Sequence, residues 1–123
     1  MTTVSAQTEY VIEPAVVRSV AARAARSTPG VARLEPGVWD LAKSWSRSTW
    51  QKVRGVDSAP ADGVHAQVTD GAAAIQLSIA TTGREPAFAV AQAVQRSISG
   101  AVSAQTGLKV TEVRVSIIDV EPA

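Results

Sequence analysis

Cysteine is absent from this chain, which removes disulfides, thiolate nucleophiles and cysteine-ligated metals together. The absence fits a reducing compartment. Histidine is reduced to one residue, His65. A lone imidazole has no second ligand of its own kind, and the alternation around it puts His65 on the outward side of a strand. An exposed strand residue is therefore expected there, not a metal ligand or general base. Aromatic residues make up 4% of the chain, so the core must come from Val, Ala and Ile, thin and finely packed. No apolar run is long enough to span a bilayer. The opening MTTVSAQTEY lacks the basic segment and apolar run of a signal peptide. Neither sign of charge dominates: 12 basic against 11 acidic side chains leave a formal net charge of +1. Nucleic-acid binders usually carry a clear basic excess, so nucleic acid is not the expected partner. A soluble intracellular protein is the expectation.

What is present is enough for one domain of 123 residues with a core of its own. Residues 1–8 are small and polar and read as a flexible N-terminal tail; 9–120 read as a single α+β domain. Tyr10, Val11 and Ile12 form a short strand or an extended lead-in. Pro14 suits a first helical turn, where its missing N–H has no partner to lose. Val16, Val17, Val20, Ala21 and Ala24 supply the buried stripe of that helix, and Thr28-Pro29-Gly30 ends it. Val31 to Leu34 reads as a short strand. Val64, Ala66 and Val68, then Ile75, Leu77 and Ile79, alternate with small or polar residues on either side of Asp70-Gly71, a strong hairpin signal.

From Glu85 onward the pattern is clearest. Pro86 opens a helix whose Ala87, Val90, Ala91, Val94, Ile98, Ala101 and Val102 recur at three- and four-residue steps. Gly107 is placed for a left-handed C-cap, and Val113, Val115 and Ile117 then alternate with Glu112, Arg114 and Ser116 in a final strand. Ile118 and Val120 break that alternation, which a bulge or an edge contact explains. Gly100 lies inside the helix, tolerated either for a close helix approach or by chance. The last strand can pair parallel to the one ending near Ala80, with the helix as crossover. The expected fold is a two-layer α+β structure: a small mixed β-sheet with two helices packed on one face.

Between these parts lies a Trp-rich connecting segment, 35–63, holding all three tryptophans. Trp39, Trp45 and Trp50 alternate there with Lys43, Arg47, Lys52 and Arg54. If the segment is helical, Trp39 and Trp50 share a face, because eleven residues is close to three turns. Three readings stand open: core packing beside small residues, a contact with a protein partner or a second copy, and direct contact with a headgroup layer. Asp57, Asp62, Glu112 and Asp119 read as solvated charges with no sign of convergence on a catalytic cleft. Gly83-Arg84-Glu85-Pro86 precedes a helix N-terminus, where an anion can bind, but lacks the glycines of a phosphate loop; plain turn chemistry is the better reading.

Several landmarks together resemble the alkaline shock protein family of Gram-positive bacteria, the Gls-type envelope stress response proteins. They are Tyr10-Val11-Ile12 with Pro14, the helix ending at Pro29-Gly30-Val31, the hairpin at 64–80 followed by Gly83, and Thr106-Gly107-Leu108-Lys109-Val110 running into Val113-Arg114-Val115. The resemblance covers about 9–34 and 64–120, and the chain departs from it at 35–63. It implies a non-enzymatic cytoplasmic protein, peripheral at the inner face of the cell membrane, that self-associates and docks to a membrane-anchored protein partner. It brings no catalytic, cofactor-binding or metal-binding residues. Trp39, Trp45, Trp50, Lys43, Arg47, Lys52 and Arg54 are then the candidate partner or membrane contacts. The alternative is a small binding module for nucleic acid or an anionic ligand on a similar fold.

Overall fold

The computed structural model describes residues 10–35 and 63–121. In chain order the elements are α1 (Pro14–Arg26), β1 (Val31–Leu34), β2 (Val64–Thr69), β3 (Ala72–Thr81), α2 (Ala87–Thr106) and β4 (Lys109–Val120). This is the expected α+β architecture, with a mixed four-stranded sheet. Tyr10 and Val11 have no regular structure and are largely exposed.

The sheet is organised on β3. Along one edge β2 and β1 lie end to end, both antiparallel to β3: Val64 pairs with Leu77 and Leu34 with Ile79. β1 thus ends opposite Ile79 and β2 begins opposite Leu77, two β3 positions away, so the two strands form one nearly continuous edge. Along the other edge β4 runs parallel to β3, from Lys109 opposite Ala72 to Val120 opposite Thr81. The hairpin turn is Asp70-Gly71, both at positive φ (49° and 77°), the twist that a two-residue connection between antiparallel strands requires.

The register is interrupted twice in β4, between the partners Ala73/Ala74 and Ile79/Ala80, which leaves Thr111 and Ile118 as extra residues. The second interruption is the bulge signalled by Ile118 and Val120.

One sheet face carries Val64, Ala66, Ala73, Ile75, Leu77 and Ile79, which pack with both helices into a single core. From α2 that core takes Val90, Val94, Ile98 and Val102; Ala101 packs at its margin, and Ala87 and Ala91 are half-buried. Gly107 caps α2 at φ 77°, its N–H donating to the Ser103 carbonyl. In α1 the stripe holds at Val17, Val20 and Ala21 but is rotated: Ala22 and Ala25 are buried, whereas Val16 is exposed and Ala24 half-buried. The rotation follows from what α1 lies against. It packs on α2 as well as on β1 and β2, so two adjoining faces are covered.

Gly30, between α1 and β1, sits at φ +95° with its Cα against Val90; an added Cβ would fall 2.6 Å from Val90 Cγ2. A close approach of backbone to α2 thus explains the residue. Gly100 has no such neighbour. It is exposed, and an added Cβ would meet nothing within 4 Å, which removes close helix approach as its reason.

His65 corrects the sequence reading. Parity puts it on the face opposite the helices, as expected, yet it is only 2% exposed. Gln76, its partner across the hairpin, and Ser78 on β3 are each 1% exposed. The second face is therefore closed over the middle of β2 and β3, and alternation alone cannot distinguish a closed polar face from a wet one.

Candidate interaction site

The seven residues singled out as contacts, Trp39, Lys43, Trp45, Arg47, Trp50, Lys52 and Arg54, lie outside the described residues, as do Asp57 and Asp62. The described features that can grip something are at the open end and the outer edge of the sheet.

At the open end, Arg33 is surrounded by carboxylates. Arg33 on β1 and Asp119 on β4 both stand opposite Ala80 of the strand between them. The alanine methyl is short enough for the two side chains to meet over it, Arg33 Nη2 lying 3.2 Å from Asp119 Oδ2. Glu35 and Glu121, each two residues further along the chain and just past the end of its strand, complete the cluster as ion-pair partners of the same guanidinium. The hydrogen bond with Glu35 is the main cause that raises the Arg33 pKa above its ordinary value; partial desolvation opposes it, and Asp119 and Glu121 add to it. The cluster straps β1 to β4 across β3. It has no signature in the sequence because it needs the Ile118 bulge to bring Asp119 opposite Ala80. Glu112, the other strand carboxylate, pairs with Arg114 at 3.1 Å, so both carboxylates are surface charges engaged in ion pairs.

The loop before α2 is tightly packed. Gly83 has φ +83°, and an added Cβ would lie 2.5 Å from the Glu121 carbonyl oxygen. That carbonyl presents partial negative charge to the loop. Arg84 N–H is taken by Thr82 Oγ1, a local turn contact.

At the outer edge, β4 pairs with β3 alone among the described residues. Its first and last backbone contacts fix which groups point inward: Lys109 N–H donates to the Gly71 carbonyl and Glu121 N–H to the Thr81 carbonyl. The Val113 carbonyl is instead taken by Gln95 Nε2 from α2, at 3.0 Å. A strand residue sends its N–H and C=O to the same side. Val113, Val115 and Ile117 therefore direct their backbone groups away from β3. Beside them, a groove of about 180 Å³ is lined by Gln95, Ser99 and Val110 to Val113. Large apolar side chains are also exposed: Ile118 and Val120 at the end of β4, Phe88 at the start of α2, and Tyr10. A second groove, of about 330 Å³, runs along Arg26 and Val31 to Leu34.

Among the described residues no group of three or more His, Asp or Glu side chains is arranged to hold a metal ion, and no helix is long and apolar enough to cross a membrane.

Compared with known families, residues 2–122 match the model of the alkaline shock protein 23 family, described as having a cell envelope-related function. The chain belongs to that family. The match spans 35–63 as well as the parts that carry the resemblance, and it agrees with the family inferred from the landmarks. No curated protein and no solved structure matches. Within this alkaline shock protein family, then, the chain has a cell envelope-related function carried on a two-layer α+β domain.

Proposed function

We propose that this chain is a non-enzymatic scaffold of the cell envelope, acting by self-association and by docking to a membrane-anchored protein partner. The carrying observation is the outer edge of β4: a twelve-residue strand, paired on one side only among the described residues and ending in exposed Ile118 and Val120. Unpaired strand edges bind other strands, and native proteins leave long ones open at the risk of association. The family's envelope-related function supports placing the assembled protein at the inner face of the membrane, with the partner supplying the anchor.

Cell fractionation combined with vesicle flotation tests the reading. The protein is expected to sediment with membranes, to be released without detergent, and to leave pure lipid vesicles unbound when purified. Its solution mass is expected to exceed that of the 12.8 kDa chain. A protein that is monomeric in solution and absent from the membrane fraction would overturn the proposal, as would salt-dependent retention on DNA or RNA as its main interaction.

A further inference from the structure

The geometry points to the outer edge of β4 pairing antiparallel with β4 of a second copy, in a register centred on Val115, with Gln95 as the group that competes for the same edge. The inference rests on the self-association proposed above and names the surface that carries it.

The edge is regular only between Glu112 and Ile117, flanked by the extra residues Thr111 and Ile118. A two-fold axis normal to the sheet maps each face onto itself, so opposed residues must share a face. That condition permits few registers over the regular stretch. Centring on Arg114 sets its guanidinium against the partner's, and like charges directly opposite are unfavourable. Centring on Val113 or on Ser116 leaves only three regular residues paired before the Thr111 or the Ile118 interruption.

Centring on Val115 avoids both. Val115 meets its own copy, and Val113 meets the partner's Ile117. All of these direct backbone groups outward, so each opposed pair can exchange two hydrogen bonds. On the other face Arg114 then stands opposite Ser116, and at the ends Lys109 stands opposite Glu121 of the second copy, a complementary pair. The interrupted positions also coincide to within one residue, Ile118 facing Glu112. On the helix face the half-buried Val113, Val115 and Ile117 gain apolar neighbours.

Native edges are commonly guarded by bulges, charges or a covering group. Here bulges lie at both ends of the regular stretch, and Gln95 occupies one outward carbonyl, that of Val113. In the pair, that carbonyl would accept from the second copy's Ile117 N–H. Gln95 Nε2 thus competes with the second copy for that carbonyl in both copies, and acts as an internal brake on the edge.

Sedimentation equilibrium of the full chain over a range of concentrations, with folding of each variant checked by circular dichroism, tests this. Ser116→Glu places a carboxylate opposite Arg114 twice per pair and is expected to tighten association, by roughly two- to thirty-fold. Ser116→Arg is expected to weaken it by a similar factor. Gln95→Ala is expected to tighten it. A general loss of folding would move both Ser116 variants the same way, so opposite signs are the diagnostic. A wild-type chain that associates while the two Ser116 variants shift together, or not at all, overturns the β4 edge and leaves self-association standing. A wild-type chain that stays monomeric throughout overturns both.

Discussion

Gly30→Ala tests the seam between the two helices and the sheet. Two costs add at this position. At φ +95° a residue with a Cβ is strained, by about 1–2 kcal/mol. The new methyl would also lie 2.6 Å from Val90 Cγ2, 3.3 Å from Cγ1 and 3.0 Å from Glu85 Oε1. Val90 is a core residue and cannot swing into solvent, so overpacking adds about 1–3 kcal/mol. The expected loss is about 2–5 kcal/mol, a large part of the roughly 5–15 kcal/mol that holds a domain of this kind together. Urea unfolding followed by circular dichroism measures it as a fall in midpoint at unchanged slope. Gly107→Ala is the control: its φ is +77°, but nothing lies within 4 Å of an added Cβ, so only the conformational cost should appear. Val90→Ala should partly relieve Gly30→Ala in a double-mutant cycle, with a coupling of about 1 kcal/mol or more. If Gly30→Ala costs no more than Gly107→Ala, and no coupling with Val90 is found, the turn after α1 does not seat on α2 and the packing described above is wrong.

Gly100→Ala should stabilise the protein by about 1 kcal/mol, because the position is an exposed helix interior with nothing to clash; a thermal melt should rise by about 3–5 °C, and a fall would mean that the surface around Gly100 is covered. Ile98→Ala removes a fully buried side chain between α2 and the sheet and should lose about 2–5 kcal/mol in urea unfolding. A loss below about 1 kcal/mol would place Ile98 outside the core. Arg33→Gln removes the cation shared by Glu35, Asp119 and Glu121 and leaves three carboxylates facing one another. The melting temperature should fall at low ionic strength and recover with added salt; a drop independent of salt would mean the side chain acts by packing instead.

Local chemistry explains why most of the fold is legible in the sequence. Asp70-Gly71 encodes its turn through positive φ, Thr106-Gly107 encodes a left-handed stop, and the three- and four-residue spacing from Val90 to Val102 needs no knowledge of its surroundings. Even the Ile118 bulge can be read, as a break in alternation. What depends on neighbours cannot. The arc buried on α1 turns toward Ala22 and Ala25 because the helix lies against α2 and the sheet at once, which the α1 sequence does not record. Parity assigns His65 to the correct face, but its burial depends on what closes that face. Arg33 meets Asp119 only through the registers of two strand pairs and one bulge, long-range facts with no local signature. The candidate site divides in the same way. The β4 strand can be read from its alternation; that its outer side is an edge among the described residues, and that Gln95 reaches the Val113 carbonyl 18 residues away, requires the fold.

The most direct measurement is amide hydrogen exchange along β4 of the full chain at low and high protein concentration. Glu112, Arg114 and Ser116 direct their N–H groups to β3 and should be protected at every concentration, whereas Val115 and Ile117 should exchange fast when dilute and become protected as copies pair. Fast exchange at Val115 and Ile117 in a sample shown to be fully associated would contradict the proposed pairing of two copies through the β4 edge.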